Sequence, residues 1–136
     1  LKKLKSNILN RKKNFKLQNK FFNNFSQYFI NPVEKSYTNT AWLAYPLLVR
    51  ESAPFTRKEM QIYLEKKNIQ TRVVFTGNII RQPMSKKFKY KSMKEGYHNA
   101  DRVMKSGILL PVHHGMTKLM YERLHYTIKE FISKYE

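Results

Sequence analysis

Cysteine is absent from this chain, which excludes disulfides and thiolate metal ligands before any other residue is read. Acids are scarce, nine in 136 residues, and the first is Glu34. Two of the few carboxylates have a structural explanation: Glu59 fits a helix cap, and Asp101 falls at a helix start. No pair of acids therefore stands out for acid–base work. No apolar run is long enough to span a bilayer and no leader peptide is visible, so a cytoplasmic location is expected. The chain opens on Leu1 rather than Met, and its first helical pattern has no start signal. It therefore reads as a piece of a longer protein, with room for one domain and a modest core.

Basic residues are abundant instead, with 27 Lys and Arg giving a net charge of +18. A basic surface suits an anion, either nucleic acid or a nucleoside diphosphate. Lysine outnumbers arginine 20 to 7, however, whereas specific phosphate recognition favours arginine. Abundant Lys, Asn and Ile point to an AT-rich coding sequence and a solvated surface. A basic RNA-binding module built on the amino-terminal helix is the alternative from another class. It requires exposed, interleaved aromatics, whereas the phenylalanines of residues 15–29 are spaced for burial.

Residues 1 to about 30 carry apolar residues every seventh position, Ile8, Phe15, Phe22 and Phe29, and predict one long helix ending at Asn31-Pro32. A strand is expected at about 41–50, with Pro46 marking an edge or bulge. Thr56-Arg57-Lys58-Glu59 is a capping box. The helix it opens runs to about Lys67, burying Met60, Tyr63 and Leu64, and Asn68 stops it. A buried strand is expected at 69–75, then a long polar loop over 76–96. A short helix over about 98–106, a strand at Ile108–Leu110 and a last helix capped by Thr117 complete the chain. In that helix Met120, Leu124, Ile128, Phe131, Ile132 and Tyr135 form the apolar stripe.

The segment from Ile69 to Pro83 is the most informative. Gly77, one of only four glycines, permits a turn with positive φ, and Pro83 stiffens the exit. Between them Asn78 and Arg81 offer an amide and a planar guanidinium fork, suited to hydroxyls and phosphates. The run GIQTR-x-x-F-x-GN-x-x-RQP is approximated here by Asn68 to Pro83. Upstream lie Trp42-Leu43-Ala44-Tyr45-Pro46-Leu47 and Ala53-Pro54-Phe55-Thr56-Arg57. Downstream lie Asn99-Ala100-Asp101 and Leu110-Pro111-Val112-His113-His114-Gly115-Met116-Thr117. Together, over nearly all of residues 40–135, these motifs resemble the C-terminal domain of the DegT-type sugar aminotransferases and dehydratases. The GN-x-x-RQP form is most similar to the nucleotide-sugar 3-dehydratases of lipopolysaccharide biosynthesis.

The resemblance implies an α+β fold, the small C-terminal domain of fold-type I enzymes. A short, mainly antiparallel sheet covered by helices would span residues 34–136, preceded by a long interdomain helix over 1–33. It implies pyridoxal or pyridoxamine phosphate as an electron sink, held mainly by a domain that this chain lacks. The reaction implied is loss of the C3 hydroxyl from a nucleoside diphosphate 4-keto-6-deoxyhexose, with transamination of the ketone as the alternative. A histidine or a lysine in the other domain would decide between them. No catalytic residue is expected in this segment, which would be inactive alone, and the intact protein would be a homodimer. An iron–sulfur cluster, used by one branch, would find no ligands here. Arg72, Asn78 and Arg81 are the expected substrate-binding residues, with His113 and His114 on a turn that lies near the cleft in the family. Adjacent histidines point in opposite directions, so a shared metal is not expected. His98 and His125 read as surface or interhelical residues.

Overall fold

The computed structural model describes residues 2–91 and 93–136. Among the described residues four α-helices and four strands follow one another in the order α1 (Leu4–Phe22), β1 (Phe29–Ile30), β2 (Ala44–Val49), α2 (Arg57–Lys66), β3 (Arg72–Val73), α3 (His98–Ser106), β4 (Gly107–Pro111) and α4 (Lys118–Ile132). The strands form one fully antiparallel sheet in the order β1-β2-β4-β3. This is the expected α+β architecture.

Register assigns the two faces of the sheet. Tyr45 lies opposite Leu110 and Leu47 opposite Ile108. These four side chains, with Val49, are buried on one face. Phe15, Phe21 and Phe22 of α1, Met60 and Leu64 of α2, and Leu124, Ile128, Phe131 and Ile132 of α4 close over it. Phe22 packs edge-on against Phe29 at 5.4 Å and stacks on Tyr45 at 5.4 Å. Trp42 stacks on Phe15 at 4.9 Å. Burying a large apolar side chain contributes about 1.5–3 kcal/mol, so this layer dominates stability. Ala44, Pro46, Leu48 and Leu109 lie on the opposite face, where α3 contacts β2 and β4.

The long amino-terminal helix ends sooner than its heptad spacing predicts. The helix stops at Phe22, a 3-10 turn covers Asn23–Phe25, and Phe29 is a strand residue paired with Val49. The seven-residue spacing of Phe29 from Phe22 is fortuitous, because both side chains reach the same core from different elements. Pro46 lies in a strand with neighbours on both sides, yet β1 pairs only at Val49 and Leu48, so β2 has a free edge at Pro46. A proline tolerates that position because no ladder bond is required of its missing N–H.

The capping box forms as read: the Thr56 hydroxyl accepts from the Glu59 amide, and Glu59 Oε2 accepts from the Thr56 amide at 2.7 Å. Met60 and Leu64 are fully buried, and Tyr63 is half-buried. Asn68 ends the helix with φ 58°, a conformation asparagine tolerates. The expected buried strand over 69–75 shrinks to Arg72–Val73 at the sheet edge, with Val73 and Phe75 exposed. In the last helix Met120 is exposed and Tyr121 takes its place in the core. The helical phase through Leu124 and Ile128 puts position 121, not 120, on the inner face.

Candidate functional site

The chain reaches its site through two anchors. Thr71 is fixed first, since its amide and hydroxyl both donate to Glu65 Oε1 at 2.8 Å. The Thr71 amide, with the neighbouring Arg72 charge adding to it, holds the Glu65 carboxyl below its usual range. Arg72 follows on β3, opposite Leu109, on the sheet face shared with α3. It is exposed, and its Nη1 lies only 3.5 Å from its own Thr71 carbonyl, so its guanidinium stays open to solvent.

The second anchor is the turn at Gly77. Its φ is +67°, and a Cβ there would come within 2.3 Å of Met104 on α3. Both the backbone angle and the close approach require glycine. The next residue, Asn78, is 3% exposed. Its Oδ1 accepts from the Ile80 amide at 3.2 Å, capping the 3-10 turn Ile79–Arg81. Its Nδ2 donates to Asp101 Oδ1 at 2.8 Å. Arg81 grips the same carboxylate: Nε donates to Oδ1 at 3.0 Å and Nη2 to Oδ2 at 2.7 Å. The Arg81 bonds first, then the Asn78 bond, hold the Asp101 carboxyl down at about 2. A further 3-10 turn, Pro83–Lys87, and Gln82 Nε2 donating to the Thr76 carbonyl at 3.1 Å close this part of the loop. The first half of what reads in the sequence as an irregular polar loop, residues 77–87, is thus a folded flap fastened to α3.

The structure therefore brings Asn78 and Arg81 together through Asp101, a residue whose sequence position suggests only a helix start. A carboxylate in a chain with few acids, inside the Asn99-Ala100-Asp101 motif, was the available signal. Asn78 is turned inward, with both ends of its amide engaged in the protein. Arg81 keeps part of its guanidinium outside, its side chain 56% exposed.

The histidines stand apart. His113 and His114 are both exposed, with their rings nearly perpendicular and 6.3 Å apart. His113 serves the turn, its Nδ1 accepting from the Gly115 amide and its carbonyl accepting from Asn14 at 2.8 Å. His114 lines a cleft of about 530 Å³ between α1 and α4, with Lys13, Asn14, Lys118, Tyr121 and His125. Among the described residues no hydrogen bond or ion pair links either histidine to the Asp101 cluster, and no three His, Asp or Glu side chains gather for a metal. His125 is interhelical, stacked on Phe21 at 3.8 Å with Nε2 2.9 Å from Gln18 Oε1. Burial, with the Lys129 charge adding to it, pushes its pKa down to about 4.

Residues 1–129 match the DegT/DnrJ/EryC1/StrS aminotransferase family. The chain belongs to that family. The lipopolysaccharide biosynthesis protein RfbH of Salmonella typhimurium is 27% identical over 96% of this chain and 29% of its own length. The dTDP-4-dehydro-2,6-dideoxy-D-glucose 3-dehydratase of Saccharopolyspora spinosa is 30% identical over 76% of the chain and 22% of its own length. Among solved structures, the E. coli GDP-4-keto-6-deoxy-D-mannose-3-dehydratase with bound hydrated PLP superposes with a TM-score of 0.75 at 24% identity. The match covers 94% of this chain and 32% of that one. The chain thus spans less than a third of these family members.

A pyridoxal cofactor needs a lysine or its substitute at the aldehyde carbon, an acid at the ring nitrogen and a phosphate cradle. The described residues do not fit it. In the cleft beside α2, Arg50, Arg57, Lys58 and Lys105 face Glu59, which caps the helix. In the cleft between α1 and α4, the acid Glu122 lies 3.6 Å from Lys118.

Proposed function

We propose that this chain is the substrate-gripping C-terminal part of a PLP- or PMP-dependent nucleotide-sugar 3-dehydratase. The intact enzyme would remove the C3 hydroxyl of a nucleoside diphosphate 4-keto-6-deoxyhexose for deoxysugar synthesis, as a cytoplasmic homodimer. Residues 1–33, whose α1 and β1 share the core and the sheet of residues 34–136, would also lead to the cofactor-binding part, and residues 34–136 would close over the substrate. The observation that carries this reading is the folded GN-x-x-RQP flap, which fastens Arg81 to Asp101 of α3 and leaves its guanidinium half-exposed. A guanidinium held on one edge and open on the other suits a diphosphate oxygen pair. The curated 3-dehydratase relative supports the reaction class.

A sugar aminotransferase is the second reading, favoured by the family's breadth. The RNA-binding alternative loses support, because Phe15, Phe21, Phe22 and Phe29 are buried and unavailable to stack on bases. The full-length polypeptide carrying this chain, supplied with PMP and the keto sugar, should yield a 3-deoxy keto sugar one oxygen lighter than the substrate, with PMP supplying the two electrons as it becomes PLP and ammonia is released. An amino sugar formed with glutamate as donor would assign the aminotransferase instead. Formation of neither product would overturn the proposal. Arg81→Ala should raise KM for the sugar nucleotide with the cofactor spectrum unchanged; an unaltered KM would remove Arg81 from the site.

A further inference from the structure

The contacts of Arg81 divide its guanidinium into two edges. A guanidinium carries five N–H donors in one plane. Asp101 takes the side edge, Nε with Nη2, at 3.0 and 2.7 Å. Both N–H groups of Nη1 and the second of Nη2 have no protein acceptor among the described residues. One N–H of Nη1 and the free one of Nη2 form the end-on edge, which has the spacing for a second oxyanion, while the other Nη1 N–H points to the Cδ side. Because the group is planar, fixing one edge fixes the direction of the other.

Asp101 is itself held in place. It occupies the first turn of α3, and Asn78, capped inward against Ile80 and 3% exposed, bonds its Oδ1. Gly77 presses the flap onto Met104 one turn further along the same helix. Orientation therefore passes from the α3 backbone to Asp101 and from Asp101 to Arg81. An exposed arginine without that support would sample several rotamers, and binding would have to order it.

We propose that Asp101 is a positioning residue, which holds Arg81 side-on so that its Nη1–Nη2 edge is presented to two oxygens of the substrate's diphosphate. Asn78 belongs to the same device, steadying Asp101 rather than touching sugar. The proposal rests on the reading of Arg81 as a substrate ligand, and its test separates the two.

Inorganic pyrophosphate is titrated calorimetrically into the full-length protein, as wild type and as Arg81→Ala, Asp101→Asn and the double variant. Asp101→Asn keeps the shape but turns an amide towards Arg81. Both single variants should raise Kd about tenfold, the scale of one lost charged hydrogen bond, and the double variant should bind no worse than Arg81→Ala. Asp101→Glu keeps the charge and should fall between wild type and Asp101→Asn. In turnover Asp101→Asn should raise KM and spare kcat, a split that general loosening of the fold would not produce. If Asp101→Asn binds as wild type while Arg81→Ala is weakened, the positioning role is overturned and Arg81 remains a ligand. If the two effects simply add, Asp101 acts independently of Arg81 and the proposal falls. If neither variant changes Kd, the proposal and the reading beneath it both fall. Should Asp101→Asn fail to fold, the Asp101→Glu titration decides: a Kd equal to wild type overturns positioning, and an intermediate one supports it.

Discussion

The two faces of the sheet are held together by opposite means. Under α1, α2 and α4, Tyr45, Leu47, Val49, Ile108 and Leu110 meet a continuous layer of phenylalanine, leucine and isoleucine. Under α3, the flap that carries Arg81 is fastened by one carboxylate, one amide and one glycine. The first arrangement is many weak, undirected contacts, so its strength grows with area and tolerates small shifts. The second is a few directed bonds, so it sets the angle of a guanidinium but contributes little to overall stability. A site can thus be precise without being strong.

Replacement of Phe22 by alanine should strain this contrast most. Phe22 is fully buried between Phe29 and Tyr45, and its loss should cost about 3–5 kcal/mol in urea unfolding, while the flap's bonds persist until the whole domain opens. Gly77→Ala should follow, at about 1–3 kcal/mol, because the new methyl meets Met104 and the backbone angle is unfavourable. A wild-type midpoint in that variant would mean that the flap does not press on α3 as described.

A titration sharpens the comparison from the core side. His125 is packed against Phe21, Gln18 and Tyr121, with Lys129 the nearest charge, and its pKa falls from 6.5 to about 4. A histidine depressed in the folded state takes up its proton more readily when unfolded. Its contribution is therefore complete above about pH 6.5 and declines as the pH falls towards 4. The unfolding midpoint should drop between pH 7 and 5, and His125→Gln should flatten that slope, whatever it does to the absolute midpoint. The smallest global effect is expected from Asp101→Ala. Its midpoint should stay close to wild type while hydrogen exchange at the Ile80 amide accelerates, since the cap supplied by Asn78 loosens. A large fall in midpoint would place Asp101 with the core rather than with the flap.

How much of this was legible depends on the range of the signal. The capping box at Thr56, the bounds of α3, the strand after it and the Thr117 cap are local rules, each decided within four residues, and each stands in the structure. The heptad that runs to Phe29 misleads because periodicity reports a shared core without saying which element delivers each side chain. The strand expected over 69–75 shrinks to Arg72 and Val73, the two residues that pair with β4; Phe75, at φ 46°, has left the strand, and β-branched or aromatic residues alone do not extend it. Arg81 is readable as a candidate from its motif. The role of Asp101 is not, because it lies 20 residues away from its partner.

Sequence by itself determined the starts of α2, α3 and α4, the Leu124, Ile128, Phe131 and Ile132 part of the α4 stripe, and the family, because these follow from neighbours along the chain and from motif order. Tertiary structure decided which face of the sheet receives α3, that Asn78 points inward, and which edge of Arg81 remains free. Those three outcomes depend on groups far apart in the chain meeting within hydrogen-bond distance, and no local pattern encodes the angle at which they meet.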